Sequence, residues 1–330
     1  MKILLAYPTR SSFIARDIKI LASKHVVSEH SYYSLAPANL LRGIRAVAKA
    51  DVLFLWFASM RSVPLVLAAV LLRKPILTAV GGYEAANCPD ISYGNARFRS
   101  QKLLTRWILA RSRIILAGSY SSQSEIITNL GIAPERLTLV RYGFDDNAAN
   151  SAANKADSVL TIGFVSEITW HRKGVFEFVR CAEQLPELQF IHVGSATINV
   201  EKRWGRTLPS NLVFKGRLSD EELAAAMATA KVYLQLSRHE AFGCSVAESM
   251  LFRCIPIVSN RFSLPEVVGD SGVIVDPDNL EAAAAAIKFA IEAPPAMGQA
   301  ARDQILSTFP MKLRAAKILA AIDELMPADR

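Results

Sequence analysis

The chain predicts an α/β fold of two doubly wound parallel-sheet domains. Three observations carry this. Short apolar runs alternate with runs of helical period through both halves. A polar, Ala- and Asn-rich stretch, residues 146–158, interrupts that rhythm, which then restarts, so it reads as an interdomain linker. At 330 residues and 51% hydrophobic composition, there is enough chain for two cores.

In the first half, strands are expected over 2–6, 52–57, 75–80, 114–117 and 137–140. Helices are expected over 12–23, 38–48, 62–72, 98–110 and 121–129. The opening run, Met1-Lys-Ile-Leu-Leu-Ala-Tyr-Pro8, is too short for a signal peptide and reads as a first buried strand. Arg61 and Pro64 break the apolar stretch 52–72, which reads as a strand and a buried helix rather than a membrane span. In the second half, strands are expected over 160–165, 189–193, 212–215, 232–236, 255–258 and 272–275. Helices are expected over 175–184, 220–228, 245–252 and 280–291, with a last one over 311–326. Cys88, Cys181, Cys244 and Cys254 form no Cys-x-x-Cys pair, so neither a zinc site nor a disulfide framework is expected, and a reducing cytoplasm is.

Charge is unevenly placed. Residues 1–148 carry a net +10 and the remainder −2. Much of the excess is Arg97, Arg99, Lys102, Arg106, Arg111 and Arg113, interleaved with Leu103, Leu104, Trp107, Ile108 and Leu109. A basic amphipathic helix with Trp suits an anionic membrane surface. An ordinary surface helix with one buried stripe has the same pattern, and the sequence leaves both open. No nucleic-acid-binding signature accompanies the charge, so no nucleic-acid partner is expected.

Between the strand-like run Val232-Tyr-Leu-Gln-Leu236 and a helix-like run ending near Phe252 lies Glu240-Ala-Phe-Gly-Cys-Ser-Val-Ala-Glu248. One carboxylate precedes the helix and the other lies inside it. Gly243 lacks a Cβ, which would let a ligand approach the backbone. A helix start offers N–H groups and the positive end of a dipole, which suit a phosphate. One segment can thus hold a diphosphate and offer acceptors to hydroxyls on either side, as a sugar nucleotide requires. A plain strand–loop–helix with two solvated glutamates has the same spacing.

Ser237-Arg-His-Glu240-Ala-Phe-Gly243, Glu248-Ser-Met250, Ile255-Pro-Ile-Val258 and Leu264-Pro-Glu-Val-Val268 occur in that order. Lys215-Gly-Arg-Leu-Ser-Asp-Glu-Glu-Leu223, Arg172-Lys-Gly174 and Arg141-Tyr-Gly-Phe-Asp145 precede them. Together, over roughly residues 75 to 277, they resemble the GT4 family of retaining glycosyltransferases, with its Glu-x7-Glu motif. The resemblance implies the GT-B architecture, two Rossmann-like domains facing across a cleft. It implies an acceptor domain over 1–147, a donor domain over 148–308, and a segment 309–330 returning to the first.

By the same resemblance, Lys173 contacts the donor phosphate and Glu240 the donor sugar, and these two are the expected catalytic residues. Glu248 would take the ribose hydroxyls. Phe242, Gly243 and Cys244 would line the diphosphate with backbone groups, and Arg172 would flank it. Gly81 and Gly82, after a strand, are the candidate acceptor loop. Of the histidines, His239 is expected beside the site, His192 at the end of a buried strand, and His25, His30 and His171 in loops.

The implied activity is transfer of a sugar from a nucleotide-sugar donor to an acceptor hydroxyl on a polysaccharide or lipid-linked glycan. From the cysteines the expected location is the cytoplasm, and from the basic helix a peripheral contact at the inner face of the membrane is expected. Asp276-Pro-Asp278 has the spacing of metal-dependent glycosyltransferases, but it sits between a strand and a helix and reads as a turn with a capping aspartate. No metal and no cofactor are expected. A glycoside hydrolase would use paired carboxylates but gives no role to a phosphate-suited helix start or a Lys-Gly loop.

Three departures from the family pattern stand out. Pro8-Thr-Arg-Ser-Ser12 replaces a Gly-rich loop, Val80-Gly81-Gly82 stands where a histidine is usual, and Ser166-Glu167 replaces Gly-Arg. Glu167 in place of arginine keeps in view a non-catalytic nucleotide-sugar binding protein, and the shared architecture keeps in view an epimerase-like enzyme.

Overall fold

The computed structural model describes residues 1–146 and 154–325. Residues 147–153 of the expected linker and the end of the expected last helix lie outside these. The chain divides into two compact units. One is Met1–Gly143 together with Met311–Arg330, and the other is Phe144–Pro310.

The first unit is built on β1 (Lys2–Tyr7), β2 (Val26–Ser31), β3 (Val52–Trp56), β4 (Ile76–Val80), β5 (Ile114–Ala117) and β6 (Leu137–Leu139). They form one parallel sheet in the order β2-β1-β3-β4-β5-β6. The central strands are buried end to end, which explains their unbroken apolar runs. The second unit is built on β7 (Ala156–Ile162), β8 (Gln189–Val193), β9 (Leu212–Phe214), β10 (Ala230–Gln235), β11 (Ile255–Ser259) and β12 (Val273–Val275). Its parallel order is β12-β11-β10-β7-β8-β9, so the chain winds outward from the centre in both directions, as in a Rossmann sheet.

The structure adds elements that sequence patterning does not give. Strand β2 is an edge strand with only His30 fully buried, so Val-Val-Ser-Glu-His-Ser carries no apolar period. Strand β7 starts at Ala156, inside the expected linker, where its first two residues are exposed. The helix Pro295–Thr308 contains Gly298 and a first-turn proline, which obscured a real amphipathic segment with Ala301 and Ile305 buried. Shorter helices at Glu167–Arg172, Val200–Trp204 and Leu264–Val268 are also new. His30 and His171 therefore lie in a strand and a helix rather than in loops.

The helix Met311–Glu324 packs in the first unit. Its Arg314 reaches the helix Ser12–Ala22, where Nε and Nη2 donate to the two carboxylate oxygens of Asp17, each at 2.8 Å. Arg314 also donates to the carbonyls of Val140 and Arg141, and Trp56 Nε1 donates to Asp17 at 3.1 Å. Asp17 is fully buried, a state that costs several kcal/mol unless a cation and hydrogen bonds compensate, as they do here.

Candidate active site

In the second unit the winding direction reverses between β7 and β10, the neighbours at the middle of the sheet. Ligands of doubly wound sheets bind beyond the strand ends at such a reversal, where the two following loops diverge. Both expected catalytic residues come from those two loops. After β7 the chain makes a short helix, Glu167–Arg172, capped by Ser166 in a reciprocal capping box with Thr169. Lys173 terminates it, and Gly174 opens the helix Val175–Gln184 with φ +71°. A Cβ on Gly174 would lie 2.6 Å from the carbonyl carbon and oxygen of Leu236. Only glycine lets this loop lie against the end of β10, and that contact sets Lys173 beside the segment after β10.

There Lys173 Nζ pairs with Glu240 Oε1. Ser237 Oγ donates to the same oxygen at 3.1 Å, and Ser263 Oγ donates to the Glu240 carbonyl at 2.9 Å. Gln235, at the end of β10, donates to the Lys173 carbonyl at 3.2 Å and accepts from the Tyr233 hydroxyl at 3.0 Å. Burial works to raise the pKa of Glu240, but the charges of Lys173 and Arg172 and the hydrogen bonds from Lys173 and Ser237 outweigh it, holding the carboxyl below its ordinary value. Glu240 is an anion at neutral pH and can accept hydrogen bonds but not donate a proton.

Arg172 Nη1 donates to the His239 carbonyl at 3.4 Å, and its own carbonyl accepts from the Arg238 N–H at 2.8 Å. Glu248 is half-buried within the helix Cys244–Leu251. Burial pushes the pKa of the Tyr233 hydroxyl up, and the charges of Glu240 and Glu248 add to the rise.

The structure revises the role of the residues between them. Gly243 caps the helix with φ +101°, and the direction of its absent Cβ is filled by Leu264 Cδ2 at 2.7 Å. Its glycine serves the turn and the packing, and does not leave open space for a ligand. The Phe242 side chain is buried, stacked on Phe144 at 6.0 Å and edge-on to Phe309 at 5.3 Å. Cys244 is half-exposed at the first position of the helix. His239 is buried, with its ring 4.2 Å from that of Phe262.

Glu167, in the place of the family's arginine, pairs with Arg203 at 2.9 Å. In the expected turn, Asp276 accepts from the Asp278 N–H, and the cap of the helix Leu280–Glu292 is Asn279 rather than an aspartate. Asp278 instead pairs with Arg238 at 2.6 Å, and Arg238 also holds Glu177.

Gly81 and Gly82 belong to the first unit, at the end of β4. A Cβ on Gly81 would overlap the Phe57 ring, and Gly82 has φ +109°. Glu84 ties this loop down, accepting from the N–H groups of Gly81 and Ala58, each at 3.2 Å. Ser237 and Gln235, which hold the Lys173–Glu240 pair, were not singled out by the sequence. A glutamine within a buried apolar strand was the available signal.

Two doubly wound parallel-sheet units, the second with a cation–carboxylate pair at its winding reversal, define a protein of GT-B type. Residues 145–304, nearly the whole second unit, match the model described as glycosyl transferases group 1. It is 25% identical over 256 residues to the MMP alpha-(1->4)-mannosyltransferase of Mycolicibacterium hassiacum, covering 71% of this chain and 62% of that protein. The chain thus spans less than two thirds of that relative. It is 28% identical over 271 residues to the GDP-mannose:cellobiosyl-diphosphopolyprenol alpha-mannosyltransferase of Xanthomonas oryzae pv. oryzae, covering 77% of this chain and 67% of that one. The fold is shared with Anabaena HepE, solved in complex with UDP and glucose, at a TM-score of 0.79 and 17% identity over 98% of this chain and 100% of that one.

Proposed function

We propose that the chain is a retaining glycosyltransferase that moves mannose from GDP-mannose to a hydroxyl of a glycan or lipid-linked acceptor. The observation that carries this is the Lys173–Glu240 pair at the winding reversal of the second unit, inside the family-matched segment. The names of the two mannosyltransferase relatives support the choice of sugar, and the Xanthomonas protein's name supports the base. In this reading the second unit binds the donor and the first binds the acceptor, with the Gly81-Gly82 loop in its site.

The chemistry follows from the side chains. The bond between the anomeric carbon and the diphosphate oxygen breaks, and the electron pair leaves with the diphosphate. Lys173 and Arg172 stabilise that charge, together with the N–H groups at the start of the helix Cys244–Leu251. The acceptor oxygen bonds to the anomeric carbon on the same face, and its proton passes to the departing phosphate oxygen. Glu240, ionised, accepts hydrogen bonds from the donor sugar, and Glu248 from the ribose. No metal is needed for these roles, because cations and N–H donors take up the diphosphate charge.

A thermal-shift screen against GDP-mannose, UDP-glucose and ADP-glucose, with magnesium or EDTA, tests the donor site. At ligand concentrations of about 100 Kd the expected stabilisation is about 2.7 kcal/mol. It should appear with GDP-mannose, persist in EDTA and fall in Glu248→Ala. Absence of a shift with every donor would overturn the reading. The Glu167–Arg203 pair, where the family has arginine, favours one rival, a binding protein without turnover. Donor binding with neither transfer nor hydrolysis would establish it, and an epimerised sugar without acceptor would point to the epimerase alternative.

A further inference from the structure

Three helices of the first unit, Pro37–Lys49, Val63–Leu71 and Arg99–Arg111, pack side by side over one face of its sheet. Their inner stripes enter the core through Val47, Leu65, Val66, Ile108 and Leu109. A buried stripe therefore exists on the basic helix, as the ordinary-surface reading requires. It does not account for the outer side. There Leu71 is 81% exposed, Leu103 63%, Phe98 53% and Leu41 47%, with Leu67 and Val70 also exposed.

The charge on these helices has one sign. Residues 33–50, 60–75 and 97–113 contain 12 Lys and Arg and no Asp or Glu, in a chain with 30 acids among 330 residues. In and beside these helices arginines lie over aromatic rings, Arg61 over Tyr33 at 4.7 Å, Arg97 over Phe98 at 5.2 Å and Arg111 over Trp107 at 3.9 Å. Beside the first helix, Lys2, Arg42, Arg45 and Lys49 line a groove of about 540 Å³. The nearby acid, Asp51, is engaged by the backbone N–H of Lys2 at 2.7 Å.

We infer that this three-helix face docks on an anionic phospholipid bilayer. Apolar side chains rimmed by cations suit the boundary between acyl chains and headgroups, with the cations on the phosphates. A soluble surface ordinarily mixes charge signs and spaces its apolar residues. A second copy of this chain is a poor occupant, because cations would meet cations. Nucleic acid would leave the outward leucines unused. Among the described residues no helix is long and apolar enough to cross a membrane, so the contact is peripheral. The inference is independent of the transfer reaction.

Co-sedimentation of the full chain with phosphatidylcholine vesicles, with and without about 30 mol% phosphatidylglycerol, tests it. Binding is expected only to the anionic vesicles and should weaken with salt. The triple variant Arg42→Glu, Arg45→Glu, Lys49→Glu should lower the partition coefficient on the order of 100-fold. The pair Leu71→Ser, Leu103→Ser should lower it on the order of 10-fold, with the melting temperature of each variant confirming the fold. Glu248→Ala should bind vesicles like the parent, which separates this contact from the donor site. Equal binding to both vesicle types, or variants that bind like the parent, would overturn the inference. So would a dimer in sedimentation velocity that Leu71→Ser abolishes, which would give the face to a second copy.

Discussion

Replacing Lys173 by Met should make the stability of the second unit respond to acid in a new sense. In the native chain, burial pushes Glu240 up, and Lys173, Arg172 and Ser237 together overcome it, so the folded carboxyl titrates below 4.5. The unfolded chain then binds the proton more readily. The contribution of Glu240 is complete above pH 4.5 and is lost as pH falls through the lower folded value. Methionine keeps the length of the stem and removes the ammonium. Burial then prevails, the folded pKa rises above 4.5, and protonation relieves the variant. Breaking a fully buried pair costs about 3–5 kcal/mol, and an exposed one about 0–1. With side chains 22% and 11% exposed, the cost at pH 7 should be about 2 kcal/mol, or about 4–8 °C in a unit of this size. Calorimetry of both proteins without ligand, at pH 7 and pH 4.5, should show the gap shrinking with acid. In a Glu240→Gln background the gap should not depend on pH. A gap that stays constant or widens on acidification, with Glu240 present, would refute the coupling.

Two further outcomes are expected. Gly174→Ala must accept a left-handed conformation and place a Cβ 2.6 Å from backbone atoms of Leu236 that cannot step aside, so it should cost about 3 kcal/mol and weaken donor binding. Gly205→Ala is its control, with φ +84° and open space, at about 1 kcal/mol; equal melting temperatures for the two variants would contradict the packing argument. Thiol labelling of the native chain at pH 8, read by mass spectrometry, should modify Cys244 first, and donor should slow it. Cys88 and Cys254, pushed up to about 11, and Cys181, pushed up to about 12, are buried and should react only on unfolding. Native-state labelling of Cys254 would count against this core.

The fold was legible where burial imposes a period. The central strands β3, β4 and β5 are apolar throughout because both faces are covered, and their limits fall within a residue or so of expectation. Edge strand β2 was not legible, because an exposed strand need not be apolar. At the candidate site, Lys173 and Glu240 were visible as residue types in a resembling order. Their pairing was not, because it depends on Gly174 meeting Leu236 from 62 positions away in sequence. Gly243 shows the converse. A glycine read as room for a ligand is a glycine that Leu264 requires. Glu167 was visible only as a missing arginine, and its partner Arg203 lies in a helix with no expected counterpart.

The return of Met311–Glu324 to the first unit bears on how the chain is made. The second unit is one continuous segment, Phe144–Pro310, whereas the first is completed only by residues that leave the ribosome after it. Until Arg314 emerges, Asp17 has no cation to justify its burial, and the sheet of the first unit lacks that helix. The later-encoded unit is therefore free to finish folding before the earlier one. During synthesis the first unit gains its full set of packing contacts only after the second has emerged.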